Sequence, residues 1–251
     1  MYRAAEFDPN QPSLPWTVGV SRRIAGMKVL LLDAATTQIV SMVYSQTQIL
    51  EREVYLVERL DKQLGQEAMP HLKCAVFIQP TRENVTHLKR EVSENPKYAE
   101  YHVFFSGVVP ADVLQQLAYA DEHEVIRQVQ EYYADYQAIN EDLFVAGTRR
   151  MALCSLPNPP EEATALFGRN VKALLATLLS VKRRPSQVRY AATSGLARQL
   201  ASEVVSQMQA DGIFDFRSGG RGGGSNDGPL LLILDRRDDP VTPLLSQWTY
   251  Q

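Results

Sequence analysis

Residues 28–33 read Lys-Val-Leu-Leu-Leu-Asp, a short apolar run that ends on an acid. A strand that is apolar at successive positions is buried on both faces, which is typical of a parallel sheet covered by helices. Largely apolar runs of similar length recur at 54–57, 74–78 and 101–105. Helical spacing separates these runs, so the sequence predicts strands that alternate with helices.

The segments between the runs carry apolar residues about every 3.6 positions, which predicts helices. These segments are 39–50, 85–92 and 114–118, and the last is opened by Pro110 and Asp112.

A fifth strand is predicted at 132–138, where tyrosine and alanine alternate with more polar residues at a period of two. With right-handed crossovers, five such strands form one sheet. We therefore expect an irregular leader at 1–26 and a doubly wound α/β domain with a five-stranded parallel sheet at 27–142.

Residues 143–251 are predicted to form part of a second α/β domain. Two helices are expected, one along the apolar stripe at 166–179 and one that begins near Ser194. A glycine-rich loop follows, and then an apolar strand at 229–235. A single strand cannot satisfy its own backbone, so this domain is expected to be incomplete, with the chain a fragment of a longer protein or a dimer.

Composition narrows the class of protein. Of 251 residues, 45% are hydrophobic and 22% are charged, and the net charge of −3 offers no general attraction to nucleic acid. The two cysteines, Cys74 and Cys154, lie too far apart in sequence for a zinc motif and indicate reduced thiols in a cytosolic protein. No apolar stretch approaches the ~20 residues of a membrane helix, and no secretory signal is present.

The acidic residues leave open an alternative in which the protein is an enzyme. Asp33 ends the first strand, and with the acids of 235–239 it could bind Mg²⁺ in a receiver-like or nucleotide-using α/β enzyme. The turn at 33–38 has no glycine with which to cradle a phosphate. A helix cap at Asp33 and a salt-bridged turn at 235–239 are the structural interpretations of the same residues.

Residues 234–251 read Leu-Asp-Arg-Arg-Asp-Asp-Pro-Val-Thr-Pro-Leu-Leu-Ser-Gln-Trp-Thr-Tyr-Gln. This stretch resembles the signature of the Sec/Munc (SM) family, cytosolic proteins that clasp syntaxins and guide SNARE assembly. The segments 26–33, 53–59 and 129–136 are similar to the vacuolar-protein-sorting branch, which serves the trans-Golgi and endosomal syntaxin. The resemblance covers residues 27–251.

The resemblance implies a non-enzymatic regulator of vesicle docking and fusion, without cofactor or metal, that is cytoplasmic and peripheral to Golgi, endosomal or vacuolar membranes through a syntaxin. In the family, a helical third domain and the rest of domain 2 follow the part matched here. The prolines of residues 1–26 depart from the amphipathic helix with which the family opens.

Two binding surfaces are implied by the resemblance. The pocket for a syntaxin N-terminal peptide corresponds to Val109, Leu114, Ala118, Ile126, Val129 and Glu131. The central cleft that holds syntaxin helices corresponds to Asp33, Gln38, Ser45, Glu58 and Lys62. Leu114 and Ile126 fit plain core packing as well, and Gln38 and Ser45 stand where the family often has basic residues.

Overall fold

The structure is a computed structural model of the 251-residue chain. It describes residues 24–62, 67–94, 96–140, 142–147, 160–210, 228–239 and 241–245. The chain divides after Gly147 into a first unit, residues 1–147, and a second unit, residues 148–251, five residues beyond the expected boundary at 142. Predictions for residues 1–23, Cys154, most of the glycine-rich loop and the end of the signature fall outside the described residues.

The first unit is built on a five-stranded parallel sheet in the order β2-β1-β3-β4-β5. Its strands are β1 (Lys28–Leu32), β2 (Val54–Arg59), β3 (Met69–Ile78), β4 (Tyr98–Phe105) and β5 (Ile126–Glu131). The predicted parallel α/β architecture is confirmed.

Helices cover both faces of this sheet. They are α1 (Ala34–Val43), α2 (Gln46–Leu50), α3 (Arg82–Ser93) and α4 (Ala111–Ala120), with a 3₁₀ turn at Leu60–Lys62. Helices α3 and α4 contact each other over the face that carries Val29 and Leu31, while α1 packs on β1 and β3. Leu30 and Leu32 point to the opposite face and are buried as well, so β1 is a central strand.

The predicted helix at 39–50 is wrong in one respect, because the structure has two helices there. Tyr44 is extended, and the Ser45 side chain accepts a hydrogen bond from the Gln48 amide while the Gln48 side chain accepts one from the Ser45 amide. This capping box starts a new helix within an uninterrupted apolar spacing.

The fifth strand was also misplaced, since β5 ends at Glu131, before the alternating segment begins. Residues 132–136 are instead outside any strand, and the Tyr132 ring meets Phe104 edge to face with 5.4 Å between the ring centroids. The chain then forms a small antiparallel pair, β6 (Gln137–Ala138) with β7 (Phe144–Val145). The Tyr132 and Ala134 amides donate hydrogen bonds of 2.7 and 3.1 Å to the Phe105 and Ser106 carbonyl oxygens, so the alternating segment continues along the end of β4 without being part of a strand.

The second unit contains α5 (Pro160–Ser180), β8 (Gln187–Tyr190), α6 (Gly195–Ala210) and β9 (Leu230–Ile233). Ser194 caps α6, as predicted, by accepting a hydrogen bond from the Ala197 amide at 3.1 Å. The expectation of a lone strand is wrong, because β9 pairs in parallel with β8, a short polar strand that the sequence did not reveal.

Candidate functional site

The predicted peptide pocket maps to the side of the first unit where α4 lies near the edge strand β5. Leu114 of α4 and Ile126 and Val129 of β5 are half-buried, and all three pack against the core cluster beneath α3 and α4. We call these three side chains together with Glu131 the α4/β5 surface. Leu114 and Ile126 thus do contribute to core packing while each keeps part of its side chain accessible.

A register shift explains how Ile126 and Val129, three residues apart, reach the same face. Ile126 pairs with Tyr101, but Gln128 pairs with the next residue, His102, so one extra residue is accommodated in β5. Val129 therefore pairs with Val103, which belongs to the same core cluster as Tyr101. Such an irregularity redirects side chains that strict alternation would send to the other face.

Glu131 supplies a carboxylate at the carboxyl end of β5. Its Oε1 accepts a hydrogen bond of 2.7 Å from the Val109 amide, and its Oε2 accepts one of 3.1 Å from the Tyr133 hydroxyl. These donors fix the carboxylate, and each oxygen retains capacity to accept a further hydrogen bond. Tyr133 was missed by the sequence reasoning, although its position two residues after Glu131, an acid of the predicted pocket, is a signal that could have pointed to it.

The other two predicted pocket residues differ from these four. Val109 is buried and offers its backbone amide to Glu131, so its role is to position the carboxylate. Ala118 is exposed on α4 and lies outside the core cluster.

The predicted cleft residues do not form one surface. Asp33 is buried, and its two carboxylate oxygens are held by donors from three segments. Oδ1 accepts from the Thr36 amide at 2.7 Å and from the Thr36 hydroxyl, while Oδ2 accepts from the Gln79 amide and from Asn84 Nδ2, both at 2.6 Å. This arrangement confirms the helix-cap interpretation of Asp33 and leaves its carboxylate inside the fold.

Gln38 and Ser45 lie on or beside α1, away from that network. The Gln38 side chain accepts a hydrogen bond of 2.8 Å from Gln137 Nε2, which ties α1 to β6. Ser45 is exposed and serves as the cap of α2.

Glu58 and Lys62 lie at the carboxyl end of β2 and just beyond it. Glu58 is two residues from Leu56, which packs against the core cluster under α3, and it accepts a hydrogen bond of 3.0 Å from the Tyr98 hydroxyl. It therefore faces the opposite side of the sheet from Gln38. Lys62 is exposed.

A polar network at the carboxyl ends of the strands was not anticipated as a unit. Gln79, directly after β3, donates from its amide to Asp33 and from Nε2 to Asp135 at 2.7 Å. Asp135 is buried as well. Polar side chains that follow buried parallel strands are the sequence signal that could have identified this network, because such strand ends share one edge of the sheet.

A second buried polar group lies where β4 begins. Glu91 of α3 accepts a hydrogen bond of 2.8 Å from the Tyr101 hydroxyl, and Lys97 Nζ lies 3.6 Å from its other oxygen. Burial raises the pKa of Glu91 although both neighbours oppose the rise. Burial also raises the pKa of the nearby Cys74 thiol, as is typical of an unreactive cysteine that packs in a core.

The acids of 235–239 form the predicted salt-bridged turn. Asp235 caps a 3₁₀ turn at Arg236–Asp238, and Arg237 Nη2 lies 2.7 Å from its Oδ2. The same oxygen accepts a hydrogen bond of 2.6 Å from the Ser194 hydroxyl. The Arg237 side chain and Ser194 together hold the pKa of Asp235 well below its ordinary value.

The described residues also bear on metal sites and on membrane-spanning helices. Within the part of the chain that the structure describes, no three His, Cys, Asp or Glu side chains are grouped so that they could hold a metal ion. No helix among the same residues has both the length and the apolarity that crossing a membrane requires.

Comparison with known proteins gives a consistent result. The Sec1 family model matches residues 28–251. Vacuolar protein sorting-associated protein 45 of Homo sapiens is 46% identical over 228 residues, covering 90% of this chain and 37% of the relative. The Arabidopsis thaliana homolog of that protein is 42% identical over 233 residues, covering 91% of this chain and 40% of the relative.

A solved structure, the SM protein Vps45 in complex with the Qa SNARE Tlg2, is 44% identical with a TM-score of 0.79. The match covers 94% of this chain and 41% of that chain. This chain thus spans about two fifths of the length of the proteins it matches.

Proposed function

The chain belongs to the Sec1 family, and on that premise we propose that it acts within an SM regulator of SNARE-mediated vesicle docking and fusion, in vacuolar and endosomal protein transport. Its partner is a syntaxin-type Qa SNARE of the trans-Golgi and endosomal compartments. The similarity to Vps45, which has been solved in complex with the Qa SNARE Tlg2, supports this choice of partner.

The observation that carries the proposal is the α4/β5 surface. Three half-buried apolar side chains, Leu114, Ile126 and Val129, lie on the same face as the core cluster. Beside them stands the carboxylate of Glu131, oriented by the Val109 amide and the Tyr133 hydroxyl. An extended peptide with one apolar anchor and one basic side chain has matching chemistry, since the anchor is desolvated and the charges pair.

The predicted cleft contributes less to this proposal. Of its five residues, Ser45 and Lys62 are exposed, Gln38 and Glu58 are half-buried on opposite faces of the sheet, and Asp33 is buried. We assign the first contact with a syntaxin to the α4/β5 surface and leave Asp33 the role of organising the strand ends.

In this proposal the chain makes and breaks no covalent bond. It binds, and it associates peripherally with Golgi, endosomal or vacuolar membranes through its SNARE partner. The magnesium-dependent alternative is not favoured by any observation, because the Asp33 carboxylate already accepts four hydrogen bonds inside the fold.

A substitution at Leu114 tests the proposal. Leu114→Arg places a charge where an apolar anchor would be desolvated, so we expect it to weaken binding of a Qa-SNARE N-terminal peptide by about 2 kcal/mol or more. Isothermal titration calorimetry of the 251-residue chain with the synthetic peptide measures this change.

The matched control is Gln115→Arg, which adds the same charge at the neighbouring, exposed position of α4. Its affinity should stay within about twofold of the unmodified chain, because exposed substitutions away from a hot spot cost little. Equal affinity of the Leu114→Arg variant and the control, with circular dichroism showing both folded, would refute the assignment of the surface.

The proposal includes self-association through the second unit, where an apolar sheet face is exposed on Leu230 and Leu232. Light scattering over a concentration series distinguishes a dimer from a monomer. A constant monomer mass at all concentrations would remove this element and leave the peptide-binding surface unaffected.

A further inference from the structure

The segment that joins α5 to β8 reads Lys182-Arg183-Arg184-Pro185-Ser186. Its residues are exposed apart from the half-buried Pro185. Residues 163–202 contain seven arginines and lysines and no acidic residue, so this segment lies in the middle of a locally basic stretch. Two arginines thus stand two and three positions before an exposed serine.

Ser186 holds the start of β9 in place. Its hydroxyl donates a hydrogen bond of 2.7 Å to the Gly228 carbonyl oxygen, and its amide donates one of 3.0 Å to the Pro229 carbonyl oxygen. Gly228 lies so close that an added Cβ would be 2.8 Å from the Arg184 carbonyl oxygen and 3.0 Å from Ser186 Cβ. There is no room for a larger group between Ser186 and Gly228.

A cleft of about 540 Å³ opens beside this contact. Arg184, Ser186 and Gly228 line it together with residues of α6, among them Val205 and Met208. The Ser186 contact is therefore at the rim of an accessible cleft, where another macromolecule can approach the hydroxyl.

We propose that Ser186 is a phosphorylation site for a basophilic serine/threonine protein kinase, and that phosphorylation releases the start of β9. Kinases of this class recognise substrates by charge, and arginines at the second and third positions before the serine complement their acidic subsites. Exposed, non-helical backbone at 181–186 allows this segment to enter a kinase cleft.

The reaction transfers the γ-phosphoryl group of Mg·ATP to Ser186 Oγ. The bond between the γ-phosphorus and the bridging oxygen of ADP breaks, a bond between that phosphorus and Oγ forms, and the hydroxyl proton passes to the catalytic carboxylate of the kinase. ADP and phosphoserine are the products.

Phosphorylation changes the contact in two ways. The oxygen loses the proton that it donates to the Gly228 carbonyl, and the added phosphate carries about two negative charges that face carbonyl oxygens of Gly228 and Arg184. The phosphate is expected to turn outward to the guanidinium group of the exposed Arg183, because a charge-assisted hydrogen bond to arginine is strong. Gly228 and Pro229 then separate from the 184–186 segment.

The first test is phosphate incorporation into the 251-residue chain by the catalytic subunit of cAMP-dependent protein kinase with radiolabelled ATP. We expect incorporation at Ser186, identified by mass spectrometry, and a decrease of about tenfold in Ser186→Ala and in the double variant Arg183→Gln/Arg184→Gln. Labelling that is unchanged in both variants would overturn the proposal.

Ser93 provides the matched control. It has Arg90 three positions before it but Glu91 two positions before it, and it is the last residue of α3. Ser93→Ala should leave the incorporation unchanged. A loss of labelling in Ser93→Ala, with none in Ser186→Ala, would also refute the assignment.

The second test is hydrogen exchange of the Ser186 amide, which donates to Pro229. Exchange should accelerate by about tenfold or more in the phosphorylated chain and in Ser186→Asp, and should change little in Ser186→Ala, since only the first two add negative charge beside the carbonyl oxygens. Equal protection in all forms would show that the modification does not release β9.

Discussion

Two strands of almost the same composition behave differently in the two units. β1, with the sequence Lys-Val-Leu-Leu-Leu, lies between β2 and β3 under helices on both faces, and Leu30 and Leu31 are 4% and 0% exposed. β9, with the sequence Leu-Leu-Leu-Ile, pairs with β8 alone among the described residues, and Leu230 and Leu232 are 52% and 55% exposed. An apolar strand sequence indicates that both faces should be covered, but whether they are buried depends on the strands and helices that pack against them.

The two units also differ in net charge. The first unit has 20 acidic and 13 basic residues and a net charge of −7, whereas the second has 9 acidic and 13 basic residues and a net charge of +4. The overall charge of −3 conceals this asymmetry. We therefore expect basic ligands to favour the first unit and acidic ones, or enzymes with acidic clefts, to favour the second.

The largest difference in unfolding free energy is expected between two leucine truncations, one in β1 and one in β9. Leu31→Ala should destabilise the first unit by about 2–5 kcal/mol, because it leaves a cavity between the sheet and α3. Leu232→Ala should change stability by less than about 0.5 kcal/mol, because its side chain is already in contact with solvent. Urea unfolding of both variants measures the difference, and equal losses would mean that β9 is as well covered as β1.

The next largest difference in stability is expected between substitutions of the acids that follow β1 and β9, Asp33 and Asp235. Asp33→Ala removes the carboxylate that accepts from the buried Thr36 amide and from the Gln79 amide, at a cost of about 1–3 kcal/mol. Asp235→Ala removes the partners of Ser194 and of a largely exposed arginine, and about 1 kcal/mol is expected. Thermal unfolding of each variant ranks them, and a larger loss for Asp235→Ala would reverse the comparison.

Acidification should act in opposite directions through one acid of each unit, Glu91 in the first and Asp235 in the second. The pKa of Glu91 is raised above 4.5 in the folded state, so this carboxyl binds its proton more tightly than in the unfolded chain and its contribution to stability improves as the pH falls toward about 4.5. The lowered pKa values of Asp61 and Glu100 in the same unit act in the opposite direction. The pKa of Asp235 is lowered below 3.8, so its contribution is present above that pH and is lost as the pH falls below it.

Calorimetric unfolding between pH 7 and pH 3 tests this difference. Glu91→Gln should abolish the contribution of Glu91 that appears as the pH falls toward about 4.5, and Asp235→Asn should reduce the loss that begins below about pH 3.8. A pH response that is the same in the original chain and in both variants would show that other groups govern it.

The smallest effect on stability is expected for Leu232→Lys. This substitution also tests whether the exposed face of β9 mediates self-association. The substitution should alter the unfolding free energy by less than about 0.5 kcal/mol while removing self-association, because a charge on the exposed face of β9 opposes burial against a second copy. Light scattering measures the mass, and Arg189→Lys, on the paired position of β8, is the control that preserves charge. Self-association that persists in Leu232→Lys would place the interface elsewhere.

The sequence was sufficient for the parallel sheet because β1, β3 and β4 are apolar on both faces, and burial of such strands has few solutions. The sequence was insufficient where local hydrogen bonds or an extra residue in a strand override the spacing of apolar residues. The capping box at Ser45 splits one helical pattern, and the extra residue in β5 breaks the alternation that would have identified that strand. β8 was missed because an edge strand with Gln187 and Arg189 has no apolar run.

The candidate site followed the same pattern. Leu114, Ile126 and Val129 could be grouped from the family resemblance and do lie against one core cluster. The cleft residues could not be grouped, because whether Glu58 and Gln38 share a face depends on which side of the sheet each helix covers. Helix placement of that kind is set by topology and not by the residues themselves.

β5 has one residue more than β4 between the pairs Ile126–Tyr101 and Gln128–His102, and this extra residue puts Val129 on the same face as Ile126. Strict alternation over the same residues would turn Val129 and everything after it to the reverse side and carry Glu131 away from the Val109 amide. Deleting Arg127 would instead make the pairing regular with Val129 still opposite Val103, so a family member with one residue fewer at this place would present its acid on the same face.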